Sequence, residues 1–421
     1  MNLLVIGGGG REHALCWSIS KSKRLTNLYA IPGNPGINKI ATCHDIDPNN
    51  FPEILEFCKS KDIGFVIIGP EQYLVKGIVD FLNKNNIKVF GCSAQASQLE
   101  SSKSFTKNLC NKLNIKTADH KTFQDKNSAL NYLLKQKNFP LVLKTDALAA
   151  GKGVIIANNL LEAQIAVEEI YSAKYNDSNV IVIEEFITGV EASFFVISDG
   201  KNAKILASAG DYKKIGEGDI GKNTGGMGTY SPSHRISAKM EEQIMHDVIN
   251  PTLSYMNEHG MPYVGFLYAG FMINEDGAFL LEYNVRMGDP ETQSIVTRLD
   301  CDLLDILLKT VDGNLEEADI KLTNKKSVTV VLAANGYPDT YKKNTEIYNI
   351  EKLDNLSDIV LFHAGTKILD SKLVANGGRV LAINGIADSF ELAKDKVYKA
   401  IDLIKWKDCY YRRDIAKDII S

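Results

Sequence analysis

The chain has 421 residues, 44% of them hydrophobic, enough for about two to three domains with their own cores. Its 48 basic and 52 acidic residues are interspersed and leave a net charge of -4, so the charge balance offers no footprint for nucleic acid or an anionic membrane. No apolar run is long enough to span a bilayer, and the seven cysteines are scattered without a C-x-x-C pair, which predicts reduced thiols in a cytoplasmic protein.

The chain starts on a strand that breaks at once into glycines, not on a signal peptide. Over the first hundred residues short apolar runs (Leu3 to Ile6, Leu28 to Ile31, Phe65 to Ile68, Val89 to Phe90) alternate with amphipathic stretches, the rhythm of a βαβ parallel sheet. Ligands of such sheets bind at the carboxyl ends of the strands. The loop after the first strand, Gly7-Gly8-Gly9-Gly10-Arg11-Glu12-His13, therefore reads as a phosphate loop. It is an incomplete dinucleotide fingerprint: Glu12 or His13 stands where the third glycine belongs, and the second strand ends without an acid for a ribose. A sugar phosphate fits it better than NAD.

The second region, 103–325, is α+β in pattern. Lys144 closes a strand and precedes Ala147-Leu148-Ala149-Ala150-Gly151-Lys152-Gly153, a small-residue loop able to fold over phosphates with Lys144 as counter-charge, although its spacing is not that of a Walker A loop. Glu184-Glu185-Phe186-Ile187 through Glu191 follows an apolar strand; a strand edge there can offer backbone groups to an adenine and an acid to its ribose. Gly216 to Gly228 is a second glycine-rich, ligand-approaching segment. Further on, Tyr263 to Ile273 and Phe279 to Val285 flank Asn274-Glu275-Asp276-Gly277, a hairpin pattern. Period-two alternation places Glu282, Asn284 and Arg286 on one face of its second strand. A carboxylate and an amide oxygen are hard ligands for Mg²⁺, too few to cage it without phosphates and water, and the guanidinium can neutralise a transferring phosphate. The strand runs into Gly288-Asp289-Pro290, a turn where functional groups collect.

The third region, 326–421, opens on a strand from Ser327 to Leu332. Gly378 to Ile383 precedes Asp388-Ser389-Phe390-Glu391, which reads as a capping box before a helix with Ala393, Val397, Ala400, Ile401 and Ile404 on its apolar face. None of the seven histidines has nucleophile or zinc spacing.

Taken together, GGGGREHA at the start, GPEQYLVKG from Gly69, SKSFTK from Ser102, LAAGKGV from Leu148, EEFITGVEAS from Glu184, NTGGMG from Asn223, GFLYAGFM from Gly265 and EYNVRMGDPETQ from Glu282 resemble the phosphoribosylamine-glycine ligases, ATP-grasp enzymes of purine biosynthesis, over essentially the whole chain. The resemblance implies an N-terminal pre-ATP-grasp α/β domain (1–102), an ATP-grasp domain (103–325) whose nucleotide-gripping lid covers about 120–190, and a β-rich C-terminal domain (326–421). It implies ATP-driven ligation of glycine to 5-phosphoribosylamine through a glycyl phosphate. It places Mg²⁺ or Mn²⁺ on Glu282 and Asn284, the nucleotide phosphates on Lys103 and Lys144 beside Gly151 and Gly153, adenine on the backbone of Glu185 and Ile187 and the side chain of Glu184, and the ribose on Glu191. Gly8, Gly10, Arg11, Glu12 and Glu71 are the candidates for 5-phosphoribosylamine. Arg286, Lys144 and Asp289 are the candidate catalytic groups, Asp289 orienting the attacking amine.

The chain departs from the family pattern at Ala147, where a glycine usually follows the aspartate, at Lys222, a proline position, and at Ala209 to Lys214, usually closer to SQDHKR; the last leaves Tyr212 without an expected role. The strand before the hairpin also offers Ala269-Gly270-Phe271 where some ATP-grasp relatives carry a third acidic metal ligand. Another ATP-dependent carboxylate ligase and an NAD-dependent dehydrogenase are the competing readings. The expected partners are small molecules only, in a monomer or weak homodimer.

Overall fold

Leu3 to Ile6 are completely buried, because a parallel strand covered on both faces has no side for water. In the computed structural model, which describes residues 1–148, 153–172 and 179–420, this strand is β1 (Asn2–Gly7). It is joined by β2 (Asn27–Pro32), β3 (Thr42–Cys43), β4 (Ile63–Ile68) and β5 (Val89–Phe90) in a parallel sheet ordered β3-β2-β1-β4-β5. The chain winds one way from β1 through β3 and the other way through β4 and β5, so a crevice opens beyond the carboxyl ends of β1 and β4. The strand β3 has two residues, too few for any periodicity to reveal.

A four-stranded antiparallel sheet follows: β6 (His120–Phe123), β7 (Leu141–Thr145), β8 (Val154–Ala157) and β9 (Ile181–Glu185), ordered β6-β9-β7-β8. The helices Lys126–Leu133 and Leu160–Tyr171 pack on it. Asn159 caps the second of these by accepting from the backbone N–H of Glu162 at 3.0 Å.

The long strands β10 (Val190–Asp199) and β11 (Ala203–Asp211) begin the central sheet. After them come a short hairpin, β12 (Lys214–Gly216) with β13 (Ile220–Asn223), then β14 (Gly228–Ser231), β15 (Val264–Asn274) and β16 (Gly277–Asn284). The sheet does not stop there. β14 pairs with β17 (Lys326–Ala334), so one sheet continues from the second region into the third. Beyond it lie β18 (Thr345–Glu346), β19 (Ile359–His363), β20 (Thr366–Leu369), β21 (Lys372–Ala375), β22 (Arg379–Ala387) and β23 (Cys409–Tyr410); the nine-stranded path reads β16-β15-β10-β11-β14-β17-β22-β19, with β23 on β17.

Under this junction runs a buried seam of hydroxyls. Ser294 Oγ lies 2.8 Å from Thr229 Oγ1 and 2.6 Å from Thr329 Oγ1, and Asn384 donates to Ser327 Oγ at 2.7 Å. These bonds tie the helix Glu291–Val296 to β14 and β17, leaving Asn384 Oδ1 as a buried oxygen without a partner.

The capping box expected at Asp388 is displaced by one residue. Ser389 is the N-cap and accepts from the N–H of Leu392, so Glu391 lies in the first turn but not at the position that reaches back to the cap, and Ile404 falls beyond the helix Phe390–Ile401. No described helix is long and apolar enough to cross a membrane.

Candidate active site

The three regions meet around a cavity of about 470 Å³, lined from the N-terminal region by Arg11 and Glu71, each in the first turn of a helix, from the second region by Lys103, Lys144, Glu184, Glu282 and Asn284, and from the third by Arg379. This volume suits a buried small-molecule site.

Glu282 and Asn284 stand two residues apart near the end of β16, and the Asn284 amide donates to Glu282 Oε1 at 3.3 Å. Burial pushes the Glu282 carboxyl upward, but Lys213, Lys144 and Lys103, with the Asn284 bond, more than offset it and hold it below the usual range. The carboxylate is therefore charged. Across the strand pair Glu282 faces Gly270, which supplies no donor, and among the described residues no three His, Cys, Asp or Glu side chains converge on a metal position. The donor set suits a cation that arrives with phosphate oxygens and water.

Arg286 lies just past the strand's end at Asn284. Its Nε is 3.2 Å from Glu71 Oε2 and its Nη2 is 3.1 Å from Glu100 Oε1. Glu71 and Arg286 are far apart in sequence yet joined directly, so the sugar-phosphate and ATP ends of the expected site share a wall. Burial raises Glu71, and Arg286 and Arg11 reverse this, bringing it to about 2. Glu100 is buried more completely, and burial carries it to about 7 despite the nearby guanidinium.

On the lid side, Glu184 is 2% exposed and its Oε2 receives Lys144 Nζ at 2.9 Å and Lys107 Nζ at 3.1 Å. Its Oε1 is buried with no hydrogen-bond partner. Lys103 Nζ donates to the carbonyl of Ala147 at 3.0 Å, so the side-chain change at Ala147 leaves this contact available. Lys103 and Lys107 are one turn apart on the helix Lys103–Leu113, a spacing visible in the sequence and overlooked there. Gly153, Glu185, Ile187 and Glu191 line the cavity; Gly151 lies outside the described residues. The strand ending at Glu185 is not an edge: β9 sits between β6 and β7, and the Glu185 N–H donates to the Asp119 carbonyl at 2.9 Å. A base can reach backbone only where the strand exits, at Phe186 and Ile187. Glu191 is ion-paired with Lys213 at 2.7 Å.

The glycine loop after β1 differs from the phosphate cradle expected. Glu12 is buried and accepts the Gly9 N–H at 2.7 Å and the Arg11 Nε–H at 2.5 Å, so it consumes a donor that a phosphate would need. Gly8, Gly10 and Glu12 are not among the residues lining the cavity, whereas Arg11 is. A Cβ on Gly8 would lie 2.4 Å from the Gly33 carbonyl oxygen, and one on Gly10 2.6 Å from Gln293 Nε2; close packing inside the protein accounts for both glycines.

Asp289 Oδ1 accepts from Gln293 at 2.8 Å, and its Oδ2 lies 3.3 Å from Arg379 Nη2. Burial raises this carboxyl, and Arg379 and Arg11 bring it below its ordinary value. Arg379 also donates to the Gly225 carbonyl at 2.6 Å. No motif announced Arg379 or Glu100, and Asp211 and Glu291 lay within quoted segments without an expected role; all four line the cavity. Of the remaining departures, the Ala209 to Lys214 segment contributes Asp211, Lys213 and Lys214 to the lining, whereas Lys222 is exposed and pairs with Asp339 at 2.7 Å, and Tyr212 is buried, its hydroxyl bound to Asp418 and accepting the Ala416 N–H at 3.0 Å.

Models of the phosphoribosylglycinamide synthetase family match the chain almost throughout: the N domain over residues 1–100, the ATP-grasp (A) domain over 101–292 and the C domain over 327–418. A phosphoribosylamine–glycine ligase of Mesorhizobium japonicum is 45% identical over 422 residues, covering 100% of this chain and 99% of its own. That of Brucella melitensis is 44% identical over 416 residues, covering 99% and 97%. The crystal structure of the Thermotoga maritima phosphoribosylamine–glycine ligase superposes with a TM-score of 0.86 at 32% identity, covering 99% of this chain and 100% of that one. A biotin carboxylase domain from Hydrogenobacter thermophilus, at 15% identity and a TM-score of 0.74 over 99% and 97% of the two chains, shares the fold.

Proposed function

Since the chain belongs to the phosphoribosylglycinamide synthetase family, and is thereby an ATP-dependent ligase joining glycine to 5-phosphoribosylamine in purine biosynthesis, we propose that the cavity described above holds all three substrates. The observation that carries this reading is the Glu282 carboxylate, half-buried yet kept charged by Lys213, Lys144 and Lys103. Such a cluster is matched to a nucleotide triphosphate and its counter-ion.

In this proposal Glu282 and Asn284 hold Mg²⁺ or Mn²⁺, which when bound neutralises phosphate charge. Lys103 and Lys144 contact the phosphates together with the loop through Gly151 and Gly153. Glu184 receives the adenine amino group on its free Oε1, Ile187 meets the base through backbone where the strand exits beyond Glu185, and Glu191 takes the ribose. Arg286 faces the carboxylate of glycine as it is phosphorylated, and the acyl phosphate formed is attacked by the amine of 5-phosphoribosylamine, releasing phosphate. Arg11 and Glu71 bind the phosphoribosyl group, with Gly8, Gly10 and Glu12 shaping the loop that carries Arg11. Asp289, fixed by Arg379 and Gln293, orients the amine. We assign the domains as 1–102, 103–325 and 326–421, and the protein as a cytoplasmic monomer or weak homodimer.

The test is ADP release by the purified protein supplied with ATP and Mg²⁺. Release that requires glycine and 5-phosphoribosylamine together supports the reading; release driven by glycine with some other acceptor, or by neither, defeats it.

A further inference from the structure

Residues 214–223 form the hairpin of β12 and β13, and none of them is buried. A hairpin with no core beneath it is marginal unless other groups hold it. Here they come from residues 410–414, far along the chain. The Tyr410 hydroxyl donates to the Ile215 carbonyl at 2.7 Å, the Gly218 N–H donates to Asp414 Oδ2 at 2.8 Å, and the Arg413 N–H donates to Glu217 Oε1 at 2.9 Å. At the centre is Arg412, 1% exposed. Its Nε and Nη2 donate to the two oxygens of Asp414 at 2.8 and 2.7 Å, while Nη1 reaches across to Asp219 Oδ1 at 2.6 Å and the Lys214 carbonyl at 3.1 Å. The guanidinium also lies 5.0 Å from the centre of the Tyr212 ring. A planar fork suits this, since it serves several acceptors from one fixed position. A further tie of the hairpin, Lys222 to Asp339 at 2.7 Å, is exposed on both sides and contributes little.

The stem of the hairpin is cavity wall. Lys213, Lys214, Asn223 and Thr224 line the cavity, whereas Arg412 and Asp414 do not. Lys213 is 2.7 Å from Glu191, and its carbonyl accepts the Thr224 N–H at 2.8 Å, so its place is tied to that of the stem. We propose that Arg412 is a positioning residue for the ligation: with Asp414 it clasps the hairpin to the third region and thereby fixes the wall made by Lys213, Lys214, Asn223 and Thr224, without touching a substrate. This inference rests on the ligase reading above, in which a glycyl phosphate forms inside the cavity. Water that reached this acyl phosphate would return glycine and phosphate, so a wall held in place keeps ADP release tied to amide formation.

The experiment uses two variants of the full-length enzyme. Arg412→Lys keeps the charge and loses the fork. Asp219→Asn acts from the hairpin side, where the left-handed backbone at this position (φ 55°) suits asparagine, and it leaves the buried Arg412–Asp414 pair whole. For each, kcat, the ratio of ADP released to amide formed, affinity for a non-hydrolysable ATP analogue and backbone amide exchange are measured. Arg412→Lys is expected to lower kcat roughly tenfold, the size of a lost charge-assisted bond. Asp219→Asn, at an exposed carboxylate, is expected to lower it about threefold. In both, the ADP-to-amide ratio rises, exchange quickens over residues 214–223 and not in β17 or β22, and ATP-analogue affinity stays within about twofold of wild type. Wild-type kcat and ratio in Asp219→Asn overturn the proposal, whatever its exchange. So does a change confined to ATP-analogue affinity. A loss of kcat with faster exchange throughout β17 and β22 makes Arg412 a group of the fold and overturns it too. A wild-type enzyme that releases no ADP when given ATP, glycine and 5-phosphoribosylamine counts against the ligase reading instead.

Discussion

Arg379 and Asp289 stand ninety residues apart in sequence, yet the guanidinium of one lies 3.3 Å from the carboxylate of the other. The same arginine donates to the carbonyl of Gly225 at 2.6 Å, so one side chain from β22 holds two loops of the cavity. A guanidinium's planar fork suits this, because several donors leave it in fixed directions.

Arg379→Met keeps the length of the side chain and removes the donors. With charge-assisted bonds contributing about 1.5–3 kcal/mol each, kcat/KM should fall roughly ten- to hundredfold, while binding of a non-hydrolysable ATP analogue stays near wild type. Steady-state kinetics beside a binding titration decides it. Wild-type kcat/KM in this variant would reduce Arg379 to a surface tether.

Glu282→Gln should abolish ligation with the fold intact. The half-buried carboxylate faces three lysines and has a single amide as its neighbouring hard donor, so replacing it leaves too little charge to retain a divalent cation in the presence of phosphate. Circular dichroism checks the fold, and turnover across a Mg²⁺ series checks the site. Normal turnover at ordinary Mg²⁺ contradicts the metal assignment.

Lys107→Met tests the buried group Lys107–Glu184–Lys144. Glu184 would keep Lys144 at 2.9 Å and lose Lys107 at 3.1 Å, loosening the carboxylate whose Oε1 is free. Breaking a buried charge pair costs about 3–5 kcal/mol, divided between stability and binding. The expected result is a lower melting temperature and an ATP constant raised roughly tenfold or more, with the glycine constant unmoved. A change in the glycine constant alone would count against the adenine placement.

Acid stability should depend on a histidine pair that joins the first and third regions. His13 Nδ1 accepts the backbone N–H of His363 at 2.8 Å. Burial, with the neighbouring His363 and Lys39, lowers His13 to about 3, and burial, with Lys39, lowers His363 to about 4. Both folded values lie below the unfolded value of about 6.5, so the unfolded chain binds more protons between these limits. The stabilisation is complete above pH ~6.5 and is lost as pH falls toward 4 and then 3, with a slope of at most about 1.4 kcal/mol per pH unit for each histidine. His13→Asn retains an acceptor and cannot titrate. Its melting temperature should fall less steeply than that of wild type between pH 6.5 and 4; parallel curves would exclude the pair as the cause.

What the residues determined by themselves is local. Alternating apolar runs closed by glycine or proline announce the parallel strands, and a hairpin pattern at Asn274 to Gly277 announces β15 and β16, because periodicity and turn chemistry are written within a few residues. The motifs around Lys144, Glu184 and Glu282 belong to the same class of signal, and they carry the family resemblance. Arg379, Asp211 and Glu100 carry no such signal; each is an ordinary charged residue at a strand or helix end until other chain segments surround it.

Only the tertiary structure decided that β14 and β17 join two regions into one sheet. It alone brings Glu71 against Arg286 and Arg379 against Asp289. It also gave Glu12 the Gly9 N–H as a partner within its own loop, and placed β9 as an interior strand. The physical reason is common to all of these. Whether a polar group is free for a ligand depends on which groups from distant segments have already satisfied it, and burial makes that satisfaction obligatory; the chain's local pattern records which groups exist, and packing assigns their partners.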